Sequence, residues 1–198
     1  MTGLKIGFLG GSFDPVHFGH LLVAQDAYEQ FKLDRLIFVP AAQAALKPQE
    51  TQASQEDRLL MLRAAIEGDD RFEISEVELQ RGGVSYTIDS VRHFRALFPA
   101  DQLYWIIGAD QLAKMILWKD AAQLARLIEF IFLERPGHPA GPLPDIPGLR
   151  LHRADGHLFE VSSSELRHRV RQALSLHYFC PQKVISLIKA RNLYRPSA

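Results

Sequence analysis

Cysteine is almost missing from this chain: its 198 residues contain one, Cys180. A lone cysteine excludes an internal disulfide and a cysteine-rich metal site, and the expectation is a buried, inert thiol. Long apolar runs are missing too. None approaches the ~18 residues of a membrane-crossing helix, so no membrane partner is expected. The opening MTGLKIGFLGGSFDP has one lysine and a short apolar run that meets turn residues. It lacks the long apolar region and small-residue cleavage site of a secretory signal, and a cytoplasmic protein is expected. Net charge is absent, with 23 Lys+Arg against 23 Asp+Glu. That balance hides an asymmetry: residues 150–198 hold nine Lys/Arg against three Asp/Glu (+6), the remainder 14 against 20 (−6). The basic end either faces phosphate or is a solvated helix face. With no long basic stripe interleaved with aromatics, no nucleic acid partner is expected. Both common glycine-rich nucleotide signatures fail as well. After Gly10 and Gly11 the next glycine is Gly19, which breaks G-x-G-x-x-G, and G-x-x-x-x-G-K-[ST] does not occur.

What is present fits an ordinary globular chain, 47% apolar and 23% charged. Its length suits a single domain over 1–198, with a C-terminal helical subregion at about 162–198, and buries roughly 70% of the unfolded surface. Short apolar runs at 4–10, 35–40, 103–108 and 130–134, bounded by turn residues, predict strands buried on both faces. Alternation predicts a strand at 71–77. Between them, Leu21, Ala24, Tyr28 and Phe31 form one helical stripe, and helices are expected over 56–66, 87–98 and 110–127. Alternating strands and helices predict an α/β fold: a Rossmann-like parallel sheet with helices on both faces. The Pro/Gly-rich 135–148 predicts a loop, and a short strand pair is expected near 149–161. A final helix led by Pro181 would pack Val184, Ile185, Leu187 and Ile188 on the domain.

The stretch GGSFDPVHFGH, residues 10–20, lies at the end of the first predicted strand, where such sheets bind ligands. Its glycines let backbone approach a phosphate, and Pro15 stiffens the path into the helix. His17 and His20 are three residues apart at the helix start, so their rings can face one ligand. Two imidazoles can bind a metal, but no third His or Cys recurs at a ligand spacing. They can also donate hydrogen bonds to a phosphate, stabilising the charge that builds during transfer. Far downstream, EVSSSELRHRVRQAL at 160–174 looks like a strand end, a serine cap and a helix. Ser162 with Glu165 fits a capping box, and Leu166, Val170, Ala173 and Leu174 form its apolar stripe. Capping leaves Ser163, Ser164 and Arg167 without a task; hydroxyls, first-turn N–H groups and a guanidinium together suit the outer phosphates of a nucleotide.

With these residues in view, GGSFDPVHFGH and VSSSELR resemble the adenylyltransferase superfamily, whose members share H-x-G-H and a late I-S-S-S-x-[ILM]-R. Within it, GGVSYTIDSVRHF, YWIIGADQL, LWKD and FIFLERPG are similar to the bacterial nicotinate-nucleotide adenylyltransferases, over nearly the whole chain. The resemblance implies a nucleotidyltransferase fold and a reaction joining nicotinate mononucleotide to ATP, giving deamido-NAD and pyrophosphate with Mg²⁺. It implies that Gly10, Gly11 and Ser12 border the ATP phosphates, that His17 and His20 contact the α-phosphate, and that Ser163 and Arg167 hold the departing pyrophosphate. His17, His20 and Arg167 would be the catalytic set, and Gly108 and Asp110 would line the adenosine side. Thr87 and the Lys119 backbone would receive the nicotinate carboxylate, with Trp118 stacked on the ring.

One stretch departs from the family. After FVP the family commonly has P-P-H-K, whereas this chain reads AAQAALKP, with Ala45 and Leu46 where proline and histidine usually stand. Lys47 is retained, either as a phosphate contact or as an exposed loop lysine. No activated serine or cysteine is suggested, so the expectation is direct in-line attack by the mononucleotide phosphate, with Mg²⁺ carried by ATP and no dedicated metal site in the protein. Three alternatives stay open: a superfamily member acting on phosphopantetheine or a sugar-linked phosphate, a non-catalytic nucleotide-binding regulator, and a tRNA-ligase fragment. Oligomeric state is not legible.

Overall fold

The computed structural model describes residues 3–45, 51–134, 141–157 and 159–196, apart from the side chain of Asp110. In chain order the elements are β1 (Lys5–Gly11), α1 (Phe18–Phe31), β2 (Arg35–Pro40), β3 (Gln43–Ala44), α2 (Gln55–Ile66), β4 (Phe72–Ile74), α3 (Val77–Arg81), β5 (Val84–Ser85) and α4 (Thr87–Leu97). They continue with β6 (Gln102–Gly108), a 3₁₀ helix (Ala109–Leu117), α5 (Ala121–Leu127), β7 (Glu129–Glu134), β8 (Leu151–Asp155), α6 (Ser163–Arg171) and α7 (Gln182–Ala190). Six strands form one sheet in the order β4-β2-β1-β6-β7-β8, every pair parallel. β3 and β5 form a separate parallel pair.

Period-two alternation builds the two faces. Leu36 and Phe38, Tyr104 and Ile106, and Ile131 and Leu133 join one apolar cluster, with Ala24 and Ala27 of α1, Met61 and Leu62 of α2, Leu166 of α6 and Val184, Ile185 and Ile188 of α7. Their strand neighbours Ile6, Phe8, Ile37, Val39, Leu103, Trp105, Phe130 and Phe132 join the other, with Ile88, Val91 and Phe94 of α4 and Leu124 of α5. Each of the buried Val, Leu, Ile, Met and Phe side chains among them contributes about 1.5–3 kcal/mol. Phe8 stacks on Phe94 with ring centroids 4.2 Å apart, so Phe8→Ala is expected to cost about 3–5 kcal/mol. The chain runs from β1 outward to β2 and β4, then crosses back to β6 and runs the other way. That reversal opens a crevice at the carboxyl ends of β1 and β6, the position such sheets offer to ligands.

The expected parallel sheet with helices on both faces is what the structure shows. Four expectations need correction. The strand expected over 71–77 shrinks to β4, and α3 begins at Val77. The helix expected over 110–127 is two pieces: the 3₁₀ helix ends at Leu117 before an extended Trp118 (ψ 142°), and Asp120 sits in the left-handed region (φ 53°), a conformation aspartate tolerates. In place of a strand pair near 149–161 there is, among the described residues, one strand, β8, on the edge next to β7. The chain after it is fastened to α1, where Asp26 accepts the His157 N–H at 3.1 Å. The helix expected to 174 ends at Arg171; Ala173 has φ 53° and Leu174 is 51% exposed, so Leu166 and Val170 alone carry its stripe. Among the described residues no helix is long and apolar enough to cross a membrane.

Candidate active site at the carboxyl ends of β1 and β6

β1 delivers Gly10 and Gly11 to the crevice, and Ser12 and Phe13 turn the chain toward α1. Gly10 must lack a side chain, because a Cβ there would lie 2.8 Å from the Trp105 ring. Gly108 ends β6, the strand beside β1. The next residues enter the 3₁₀ helix that contains Asp110.

His17 caps α1 from an extended conformation (φ −149°, ψ 170°), and His20 lies in its first turn. Their rings stack with centroids 3.8 Å apart and planes 27° from parallel. Gly19 makes room for this stack: a Cβ at that position would sit 3.0 Å from the His17 ring. His20 Nδ1 accepts the His17 backbone N–H at 3.3 Å. An accepting Nδ1 carries no proton, so in the neutral ring Nε2 holds it and is the donor. The edge of Phe13, ring centroid at 5.0 Å, braces His20.

The serine motif docks on the same loop. Ser162 caps α6, its Oγ accepting the Glu165 N–H at 3.2 Å. Ser163 Oγ donates to the Pro15 carbonyl at 2.9 Å, and Arg167 Nη1 donates to the Asp14 carbonyl at 2.7 Å. Arg167 Nη2 reaches Ser164 Oγ at 3.0 Å, while its Nε is buried without a hydrogen-bond partner. Two segments nearly 150 residues apart in sequence thus share one surface. The Ser163 hydroxyl proton is engaged by the Pro15 carbonyl, so a phosphate could accept it only after that hydroxyl turns.

Three residues that sequence patterning did not single out hold this arrangement. The buried Asp14 carboxylate accepts the Gln52 N–H at 2.8 Å, the Ala53 N–H at 3.1 Å and the Tyr194 hydroxyl at 2.8 Å, and lies 3.8 Å from Arg167. Burial, followed by the Asp14 charge, holds the Tyr194 phenol far above its ordinary range. Arg58 of α2 is wholly buried, and its Nη1 donates to the Ser12 carbonyl at 2.7 Å. Desolvation pulls the Arg58 guanidinium below its ordinary range, with Asp14 opposing. The only advance signals were an aspartate in the turn after Gly10 and Gly11 and an arginine beside the apolar Leu59, Leu60 and Met61.

The residues expected around nicotinate also gather. Thr87 opens α4, and Trp118 and Lys119 follow the 3₁₀ helix. Lys119 Nζ bonds Asp89 at 3.2 Å and lies 4.5 Å from the Tyr86 ring centroid, joining the two segments. Trp118 packs edge-on against Phe130 at 6.1 Å, and its Nε1–H is buried without an acceptor. Leu46 and Lys47 lie outside the described residues. Among the described residues, one cavity adjoins this surface and another lies apart from it. A narrow pocket beside Gly19 is lined by Leu22, Asp26, Leu133, His157 and Phe159. A cleft of about 420 Å³ near the β4 edge, lined among others by Glu73, Glu76, His93 and Phe98, contains none of the expected site residues.

The chain was compared with known proteins. Residues 8–169 match the cytidylyltransferase-like family model. A protein of Opitutus terrae, "Probable nicotinate-nucleotide adenylyltransferase", is 66% identical over 98% of this chain and 100% of its own. One of the same name from Thermus thermophilus is 39% identical over 97% and 100%. In fold, the chain matches Plasmodium falciparum nicotinic acid mononucleotide adenylyltransferase complexed with NaAD, with TM-score 0.79 and 18% identity over 96% and 97% of the two chains. The chain belongs to the nicotinate-nucleotide adenylyltransferase family.

Proposed function

We propose that this protein transfers the adenylyl group of ATP to nicotinate mononucleotide, giving deamido-NAD and pyrophosphate in NAD biosynthesis. The observation that carries the assignment is the junction of the two motifs: stacked His17 and His20 on one side, and Arg167 bonded to Asp14 on the other. An oxygen of the mononucleotide phosphate attacks the α-phosphorus in line. The bond from that phosphorus to the oxygen bridging the β-phosphorus breaks, and pyrophosphate leaves with the electron pair. The nucleophile is already anionic near neutral pH, so no general base is needed, and catalysis is positioning plus electrostatics.

Each residue then has a role. Gly10, Gly11 and Ser12 border the phosphates with main chain, and His17 and His20 donate to the α-phosphate oxygens. Arg167, Ser163 and the first-turn N–H groups of α6 receive the departing pyrophosphate, where the helix dipole favours anions. Gly108 and Asp110 border the adenosine. Thr87 and the Lys119 main chain receive the nicotinate carboxylate, and Trp118 offers its indole face to the ring. ATP enters as its magnesium complex, the cation held by phosphate oxygens and offsetting their charge. In this reading the whole chain works as one nucleotidyltransferase domain, its segment 162–198 supplying the pyrophosphate side, in the cytoplasm.

Incubation with ATP, Mg²⁺ and, separately, nicotinate mononucleotide, nicotinamide mononucleotide and phosphopantetheine, with pyrophosphate release as readout, tests the assignment. Turnover should be fastest with nicotinate mononucleotide. Preference for phosphopantetheine, or release with none of the three, overturns it.

A further inference from the structure

Arg58 lies under the turn at 10–12 with its residue at 0% exposure. Nη1 is satisfied by the Ser12 carbonyl, whereas Nε and Nη2 are buried without an acceptor. Enclosing a guanidinium in this way is costly, and an apolar side chain of similar volume would fill the space without that cost. The surroundings do not cancel the charge. One carboxylate, Asp14, is shared between two cations, Arg58 and Arg167, and already accepts two N–H groups and a hydroxyl. One positive charge is therefore left over beneath the phosphate turn. The bond to Ser12 also has a direction. In a planar trans peptide the carbonyl and the following N–H point opposite ways, so drawing the Ser12 carbonyl down to Arg58 turns the Phe13 N–H away from it. Phe13 is itself held in the left-handed region (φ 47°), which fixes the path of the chain into Asp14.

We propose that Arg58 is a positioning residue of the nucleotide site, setting the peptide planes of the 10–13 turn through Ser12 and supplying a buried positive charge that draws the triphosphate to it. The inference rests on the adenylyl-transfer assignment for the identity of the nucleotide, and it acts on ATP alone, since the nicotinate residues lie on the other side of the sheet around α4.

The test is titration of the intact protein with magnesium and α,β-methylene ATP, and separately with nicotinate mononucleotide, for Arg58→Met and Arg58→Lys. Arg58→Met should weaken the ATP analogue about tenfold or more, the scale of a lost charge-assisted hydrogen bond, while mononucleotide binding stays within about twofold. Arg58→Lys keeps the charge and loses the fork, so it should show the same split in smaller measure. If Arg58→Met does not fold, the lysine variant decides. A folded variant that binds the analogue like the wild type, or that loses both ligands alike, overturns the proposal. Nucleotide titration needs no turnover, so a wild type that binds the analogue yet makes no deamido-NAD sinks the reaction assignment and leaves the Arg58 test standing.

Discussion

Arg167 Nη1 donates to the main-chain carbonyl of Asp14 at 2.7 Å, across 153 positions of sequence. The guanidinium thereby fixes the loop that leads to His17 and His20, and its own position is fixed in return. A planar fork that bonds a carbonyl and Ser164 Oγ at once keeps its remaining N–H edge in one orientation.

Arg167→Lys is expected to lower kcat/KM by about 10²-fold despite keeping the charge, because an ammonium cannot span both partners and still face the leaving pyrophosphate. Steady-state kinetics of pyrophosphate release check this. A lysine variant with near wild-type kcat/KM would remove the fork from the account.

His20→Ala should reduce kcat by about 10²–10³-fold through loss of one preorganised donor to the transition state. Its cost to folding should be about 1 kcal/mol, the value of the bond that Nδ1 accepts from His17. Denaturant melts alongside turnover separate the two effects; parallel losses of stability and rate contradict a catalytic role.

Trp118→Ala should raise KM for nicotinate mononucleotide about tenfold with little change in KM for ATP, because the indole offers stacking area to the pyridine ring alone. An unchanged mononucleotide KM removes Trp118 from the pocket.

Cys180 is 2% exposed, and burial pushes its thiol up to about 12. The native protein should resist thiol reagents at pH 8 and react at the rate of its unfolding. A folded pKa above the unfolded one means that the native state holds the proton longer. The stabilisation is complete below pH ~8.5 and is lost as pH rises toward ~12, at up to about 1.4 kcal/mol per pH unit. Urea melts of wild type and Cys180→Ala between pH 8 and pH 10 measure the difference in slope.

The sheet was legible because its strands are apolar on both faces and end at turn residues, and the two motifs were legible because they pair rare residues at short spacings. What escaped lay in burial and in backbone conformation. Arg58 occupies a helix in which periodicity cannot tell a buried arginine from a solvated one, and Asp14 reads as a turn former although it collects four partners. The break between the 3₁₀ helix and α5 contains no proline or glycine, only Asp120 in a left-handed conformation. At the β8 edge a strand pair was expected near 149–161, but after β8 the chain goes to Asp26 instead.

The most direct measurement is the structure of the protein with magnesium and α,β-methylene ATP. The α-phosphate should lie within hydrogen-bond reach of His20 Nε2 and the His17 ring, with the outer phosphates against Arg167 and the first turn of α6. A triphosphate seated elsewhere, for instance in the cleft lined by Glu73 and His93, would contradict the account at its root.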